Sequence, residues 1–221
     1  QGITFPKIKG GLNHFVALKA DGTVWTWGYN SNGQLGLGDN NNRLEPIQIT
    51  ENVTLEEGKT EKRPITNVID VSAGNYHTLI LKNDGTVWST GYNSYGQLGD
   101  GSTTNTNSFH KVKLNKNGDY LENVIAITAE GNTSHALTKD GKVYSWGYNG
   151  YGQLGINNTS NSNYPIQMQK VSNIIQISGG YGHIAMLDAD GSVWSVGNNG
   201  YGQIGSSSSG EQYFLIQMPD R

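Results

Sequence analysis

The chain has 221 residues, long enough to bury roughly 70% of its unfolded surface, yet only 34% are apolar and 15% charged, while 31 are glycine. Its 15 basic and 18 acidic residues give a net charge of -3 without a run of either sign, which removes the electrostatic footprint of a nucleic-acid or anionic-membrane partner. The lack of cysteine excludes disulfides, thiolate metal sites and cysteine nucleophiles, and no apolar stretch approaches the roughly 20 residues of a membrane span.

In chain order, Gln1-Gly2-Ile3-Thr4-Phe5 has neither the basic start nor the apolar centre of a signal peptide. Residues 8–36 then form the first of four gapless 29-residue windows, the others being 71–99, 127–155 and 177–205, with all length variation confined to the connections. Nine columns are identical in every copy, those of Leu81, Asp84, Gly85, Val87, Gly91, Asn93, Gly96, Gln97 and Gly99 in the second. Inside a window, two short β-branched and aromatic runs ("HTLILK", "TVWST") flank an Asp-Gly pair, which supplies the positive φ of a tight turn. The windows therefore predict hairpins around Asp21-Gly22, Asp84-Gly85, Asp140-Gly141 and Asp190-Gly191. An apolar run precedes the hairpin ("NVIDVS", "NVIAIT", "NIIQIS") and another follows the loop ("PIQIT", "FHKVKL", "PIQM", "FLIQM"), making four strands per repeat. The longest connection, residues 50–67 ("TENVTLEEGKTEKRPITN"), mixes four acidic with three basic residues and has no strong strand pattern. It reads as a solvated excursion, with a contact role as the alternative.

A lone four-stranded sheet cannot bury both faces, whereas radially stacked sheets bury theirs against neighbours. The expectation is an all-β protein: a β-propeller of four-stranded antiparallel blades, with residues 1–221 as one repeat domain. The repeat spacings of 63, 56 and 50 fit such an array.

The pattern Gly, two or three residues, His, aliphatic strand, Asp-Gly, Val-Trp, Gly, x-Asn-x-x-Gly-Gln-Leu-Gly resembles the repeat of the regulator of chromosome condensation family. It covers essentially the whole chain, best at Gly11 to Gly36 and Gly74 to Gly99; in the third copy Glu130 replaces the glycine and Thr133 the histidine. The resemblance implies a β-propeller, commonly of seven blades, used mostly as a rigid protein-binding platform. Members include a nucleotide exchange factor, modules of ubiquitin ligases, a plant ultraviolet photoreceptor and a secreted bacterial inhibitor of β-lactamases. Four repeats leave three outcomes: a fragment of a longer propeller, a closed four-bladed ring, or a dimer completing a larger one. The wedge angle of a seven-bladed family favours the fragment or the dimer over closure at four.

The loop columns Asn30, Asn93, Asn149, Asn199 and Gln34, Gln97, Gln153, Gln203 read as structural, each amide able to satisfy loop backbone groups that lack a ladder partner. Tyr29, Tyr92 and Tyr148, with Tyr95, Tyr151 and Tyr201, share one rim and are either amphipathic anchors for a partner or packing between blades. His14, His77 and His183 share a column better suited to structural hydrogen bonds than to a metal ring, because successive blades hold equivalent side chains too far apart for ligation; His110 and His135 look incidental. Trp25, Trp88 and Trp194, with Tyr144, are expected between blades. The paired arginines and clustered indoles of a photoreceptor are missing.

After turn chemistry accounts for the aspartates, no carboxylate pair, serine-histidine arrangement or phosphate loop is left. The reading is a non-catalytic protein-interaction scaffold, without cofactor or metal, with a protein partner or a homo-oligomer and neither nucleic acid nor membrane. A carbohydrate-binding propeller and a self-assembling module are the alternatives, and nucleotide exchange on a small GTPase ranks behind them. Abundant asparagine without cysteine leans towards a bacterial origin, outside the cell or on its surface. Sequons at Asn52 and Asn132 add little in so asparagine-rich a chain.

Overall fold

The computed structural model describes residues 6–54, 59–206, 210 and 212–218; the first five residues, and the reading made of them, lie outside these. Four four-stranded antiparallel sheets follow one another, each with its strands in chain order. Blade 1 comprises β1 (Lys7–Gly10), β2 (His14–Leu18), β3 (Val24–Gly28) and β4 (Arg43–Gln48). After the hairpin β5 (Thr50–Thr54) and β6 (Thr60–Pro64), blade 2 is built from β7 (Val68–Ala73), β8 (His77–Lys82), β9 (Val87–Gly91) and β10 (Thr106–Lys111). Blade 3 is β11 (Val124–Glu130), β12 (Thr133–Thr138), β13 (Val143–Gly147) and β14 (Ser162–Gln167), and blade 4 is β15 (Ile174–Gly180), β16 (His183–Asp188), β17 (Val193–Gly197) and β18 (Gln212–Gln217). No helix occurs among the described residues.

The hairpin corrects one part of the expectation for residues 50–67: the segment is a solvated excursion, but it forms two strands. Thr50 to Thr54 and Thr60 to Pro64 pair in continuous antiparallel register, β6 is exposed throughout, and Lys82 reaches Glu51 at 3.6 Å. Polar and charged residues fill both strands, Val53 and Pro64 apart, so the apolar strand signal is absent although the strands form.

The first strands stand side by side around the axis, β7 packing on β1 and β2, β11 on β7 and β8, and β15 on β11 and β12. Nothing comparable joins blade 4 back to blade 1 among the described residues, so the four blades make an open arc. Three apolar clusters fill the three junctions. Val16, Val24, Val71 and Ile80 lie between blades 1 and 2, Leu79, Leu81, Ala136 and Trp146 between 2 and 3, and Leu137, Ile174, Ile184 and Met186 between 3 and 4. Trp88, Tyr144 and Trp194 pack against these clusters. Trp25, paired with Ala17, stands instead on the outer face of blade 1.

The turn glycines serve two ends. Gly85 sits at φ +78°, and its carbonyl accepts the Val124 amide at 3.0 Å from the next blade. The acceptor there, Asp84, takes the Thr86 amide and hydroxyl at 3.0 and 2.7 Å; Asp21 does the same for Thr23. Asp140 accepts from the Thr138 hydroxyl at 2.6 Å. In blade 4 the turn is organised by Asp188, which accepts the amides of Asp190 and Ser192 and the Trp194 indole. Asn67, Asn123 and Asn173 enter each following blade with φ of 62°, 59° and 56°.

A Cβ on Gly85 would lie 3.0 Å from the Asn123 nitrogen, whereas one on Gly191, at φ +88°, meets nothing within 4 Å. Gly191→Ala is therefore expected to cost only the conformational term of about 1–2 kcal/mol, and Gly85→Ala at least about 1 kcal/mol more, as the crowding of a packed contact adds to it. Urea unfolding of the two variants checks the difference; equal losses would show that the junction contact contributes nothing.

Candidate functional site

The loop that follows the third strand is built around its asparagine and glutamine. In blade 2, Asn93 Oδ1 accepts the Leu98 amide at 2.9 Å, while its Nδ2 donates to the carbonyls of Ser102 and Thr104 at 3.2 and 3.1 Å. Asn30 and Asn149 repeat this with Leu35 and Leu154, and Asn199 accepts from Ile204 at 3.1 Å. Gln34, Gln97, Gln153 and Gln203 each accept the amide two residues earlier, at 2.9–3.0 Å. A further column, missed in the sequence, closes the loop from outside: the side chains of Asn42, Asn105 and Asn161 accept the amides of Asn30, Asn93 and Asn149 at 2.9 Å. Its signal was an asparagine recurring twelve positions after the first.

These rigid loops carry the rim tyrosines other than Tyr76, which lies in the turn between β7 and β8. Tyr29, Tyr76, Tyr92, Tyr95, Tyr148 and Tyr151 touch edge to face in sequence, with centroids 6.1, 6.5, 6.1, 5.0 and 5.8 Å apart, a half-buried ladder across blades 1 to 3. Tyr76, which sequence reasoning did not single out, bridges Tyr29 to Tyr92. Tyr201 has no place in this ladder and is 98% exposed on blade 4. Where the ladder ends, Tyr95, Tyr148, Tyr151 and Tyr181 line a cavity of about 170 Å³ together with Asn132 and Gln153. A larger hollow of about 670 Å³ lies beside Leu114, Tyr120 and Tyr144, near the Asp140 turn at the opposite end of the blades.

Beneath the ladder, the junctions are bolted by histidine. The Thr78 hydroxyl donates to the Gln34 carbonyl at 2.7 Å and accepts from His14 Nε2 at 3.0 Å. At the next junction Ser134 does the same between Gln97 O and His77 Nε2, at 2.8 and 2.9 Å. A side chain on Gly11 or Gly74 would collide with the His14 or His77 ring, which explains the fixed spacing of glycine and histidine. Burial lowers the His14 pKa to about 4 and that of His77 to about 3, the nearby His14 adding to the latter.

The third junction departs from this, and His135 is far from incidental. It is fully buried, with Nε2 2.8 Å from Glu130 Oε1 and Nδ1 2.7 Å from Ser145 Oγ. Burial raises the Glu130 pKa well above the carboxylate range and lowers that of His135 to about 3. The pair is accordingly neutral, the carboxyl donating to Nε2 and Nδ1–H donating to Ser145. His110, by contrast, is exposed, its Nδ1 2.9 Å from Ser108 O.

Radial antiparallel blades, joined face to face and carrying a loop rim at one end, define a β-propeller arc. Models of the regulator of chromosome condensation (RCC1) repeat match residues 7–34, 68–97, 124–153 and 174–203, and in a second form 21–81, 84–133 and 140–187. The chain belongs to the RCC1 repeat family. It is 33% identical over 187 residues to the ultraviolet-B receptor UVR8 of Arabidopsis thaliana, covering 83% of this chain and 39% of that protein. To the human X-linked retinitis pigmentosa GTPase regulator it is 33% identical over 158 residues, 72% of this chain and 14% of that one. Among solved structures, human WBSCR16 matches with a TM-score of 0.79 at 25% identity, over 99% of this chain and 55% of that one. Yeast RCC1 (Prp20) bound to Kap60 matches at 0.74 and 18%, over 100% and 50%. The chain thus spans two-fifths or less of these two curated relatives and about half of the two solved chains.

The bridging histidines give stability a definite pH dependence. Their folded pKa values lie below the ordinary 6.5, so the unfolded chain binds more protons between about 4 and 6.5, and stability is full above that window and lost as pH falls through it. The Glu130–His135 pair adds no slope between about 4.5 and 6.5, because it holds one proton folded, on the carboxyl, and one unfolded, on the imidazole. Lowering pH from 6.5 to 5.0, a window over which that pair contributes no slope, should cost about 1.5 kcal/mol for each of His14 and His77. Urea unfolding at the two pH values checks this, and His14→Gln should remove about half of the loss.

Proposed function

We propose that the chain is a non-catalytic protein-binding scaffold that receives its partner on the tyrosine ladder of the loop rim. The observation that carries this reading is the unbroken run from Tyr29 to Tyr151, ending in the cavity walled by Tyr95, Tyr148, Tyr151 and Tyr181. Tyrosines present apolar faces and hydroxyl edges on two rotatable bonds, so they lose little entropy on contact, and they are concentrated at binding hot spots. Their loops are held by buried amides, so the surface is organised before a partner arrives, which lowers the cost of association. The cavity has the size of one side chain, suited to a single anchoring residue of the partner.

Asn132 and Gln153 beside the rings also support the carbohydrate-binding reading, in which rings stack on a sugar and amides bond its hydroxyls. The two readings part in one experiment. The chain and a Tyr95→Ala/Tyr151→Ala variant are immobilised, with Tyr120→Ala at the far end as control, and challenged with proteins of the source cell and with a glycan array. A protein retained by the chain and the control but weakened about tenfold or more by the double variant supports the scaffold. A glycan response lost in the same variant replaces it with the carbohydrate reading, and equal retention by all three forms removes the rim from function.

A further inference from the structure

We propose that the cavity at the end of the tyrosine ladder is a cage for a methylated ammonium group, the trimethylated side chain of a lysine on a protein partner; this rests on the protein-binding reading of the rim. Four of the residues that line it are tyrosines, Tyr95, Tyr148, Tyr151 and Tyr181. Successive rings stand close to perpendicular, Tyr95 to Tyr148 at 67° and Tyr148 to Tyr151 at 80°, with centroids 5.0 and 5.8 Å apart. Rings so arranged form corners rather than a stack, and a group seated in a corner meets more than one of them. Two glycines give the rings their room. A Cβ on Gly182, at φ +76°, would stand 2.7 Å from Tyr151 Cδ2, and one on Gly131 would lie 3.5 Å from the Tyr181 ring. Every wall lies between residues 95 and 182, on blades 2, 3 and 4 and the turns and loops they carry.

The chemistry of the walls selects first the charge and then its substituents. The face of an aromatic ring is negative, and a cation within about 6 Å of its centroid is attracted, most strongly where water is excluded. Among the described residues, no lysine, arginine or histidine lines the cavity to oppose that charge, and no carboxylate lines it to pair with one. The side-chain oxygens beside the rings are already engaged. Asn132 Oδ1 accepts from Gln97 Nε2 at 3.2 Å and Gln153 Oε1 accepts the Tyr151 amide at 3.0 Å. Thr133 Oγ1 accepts from Gln153 Nε2 at 3.2 Å and donates to the Tyr148 carbonyl at 2.9 Å. The carbonyls of Asn132 and Gly182 take the amides of Tyr148 and Asn198 at 2.9 and 2.8 Å. An unmodified ammonium or a guanidinium would bring several N–H donors and leave them unmet, after losing the water that satisfied them. Three methyl groups remove every donor and spread the charge over a rounded apolar surface, so that ring faces alone suffice. From the cavity the ladder continues through Tyr92 and Tyr76 to Tyr29, a track across three blades that suits a polypeptide carrying the lysine rather than a free small molecule.

Fluorescence anisotropy of labelled short Gly/Ser peptides, titrated with the 221-residue chain, tests this. The peptides differ at one central position, which holds trimethyllysine, lysine, arginine, or the neutral analogue of trimethyllysine in which carbon replaces the nitrogen. The trimethyllysine peptide is expected to bind about tenfold or more tightly than each of the others. Tyr181→Ala, which alters a side chain that is 64% exposed and leaves the fold intact, should weaken it about threefold or more, whereas Tyr120→Ala at the far end of the blades should not. Equal binding of the carbon analogue would make the cavity an apolar pocket and overturn the proposal. So would equal binding of lysine or arginine, or no binding of the trimethyllysine peptide at about 1 mM; free choline bound as tightly as the peptide would replace the protein ligand with a small molecule. Retention of cellular proteins tests the scaffold separately, so a partner held by the rim, with no preference among the peptides, removes the cage and leaves the scaffold standing.

Discussion

A small antiparallel sheet has two apolar faces and no means of covering either. That constraint sets everything else in this molecule. β8 and β12 are buried on both sides along almost their whole length because a blade stands on each side of them, while β16 alternates between buried and partly exposed because only one does. The core is consequently not a centre but three seams, and each added blade contributes stability through the seam it shares. In such quasi-linear arrays, energy is a sum of units and of contacts between nearest neighbours.

The polar chemistry follows from the same arrangement. A seam must end somewhere, and at the rim its backbone groups leave the ladder and need partners. Buried amide side chains supply them in every blade, each asparagine acting as acceptor and donor at once. The composition that looks loop-like is therefore structural. Glycine admits the reversals, asparagine and glutamine bond them, and only the positions left over, largely tyrosine, are free to face a partner.

Much of this was legible from residue spacing. Fixed intervals between Asp-Gly, Val-Trp and the Gln-Gly loop predicted four hairpins of a propeller, and they form at those places. Residues that act between blades were harder to read, since no local pattern says what a side chain meets on the neighbouring sheet. His14 reaches Thr78 across 64 positions, and Gln97 reaches Asn132 across 35. Asn67, Asn123 and Asn173 were visible as the first letter of three quoted strands, but nothing local announces their left-handed backbone or their place against the turn glycine of the preceding blade. The charged hairpin of β5 and β6 escaped because it carries no alternation of apolar residues, β6 being exposed throughout, and such alternation is what periodicity detects.

The third junction shows how far such a seam can be rewritten. Losing the histidine at Thr133 frees the space above position 130, where an imidazole would exclude any side chain, and Glu130 fills it. A carboxyl there needs a buried partner, and His135 provides one from a position that is aliphatic in the other blades. It also needs room on the opposing sheet, where a Cβ at Gly179 would collide with it. The hydroxyl that would have met the missing histidine has no remaining purpose, and Ile184 stands in its place, fully buried. Ser145 accepts from His135 Nδ1–H, whereas Ser89 and Ser195 donate their hydroxyls to the carbonyls of Leu98 and Ile204. Four departures from the repeat, Glu130, Thr133, His135 and Ile184, are thus one exchange of a hydrogen-bonded bridge for another, and its two polar members depend on each other: Glu130 without His135 would be a buried acid lacking its acceptor, and His135 without Glu130 a buried imidazole lacking its donor.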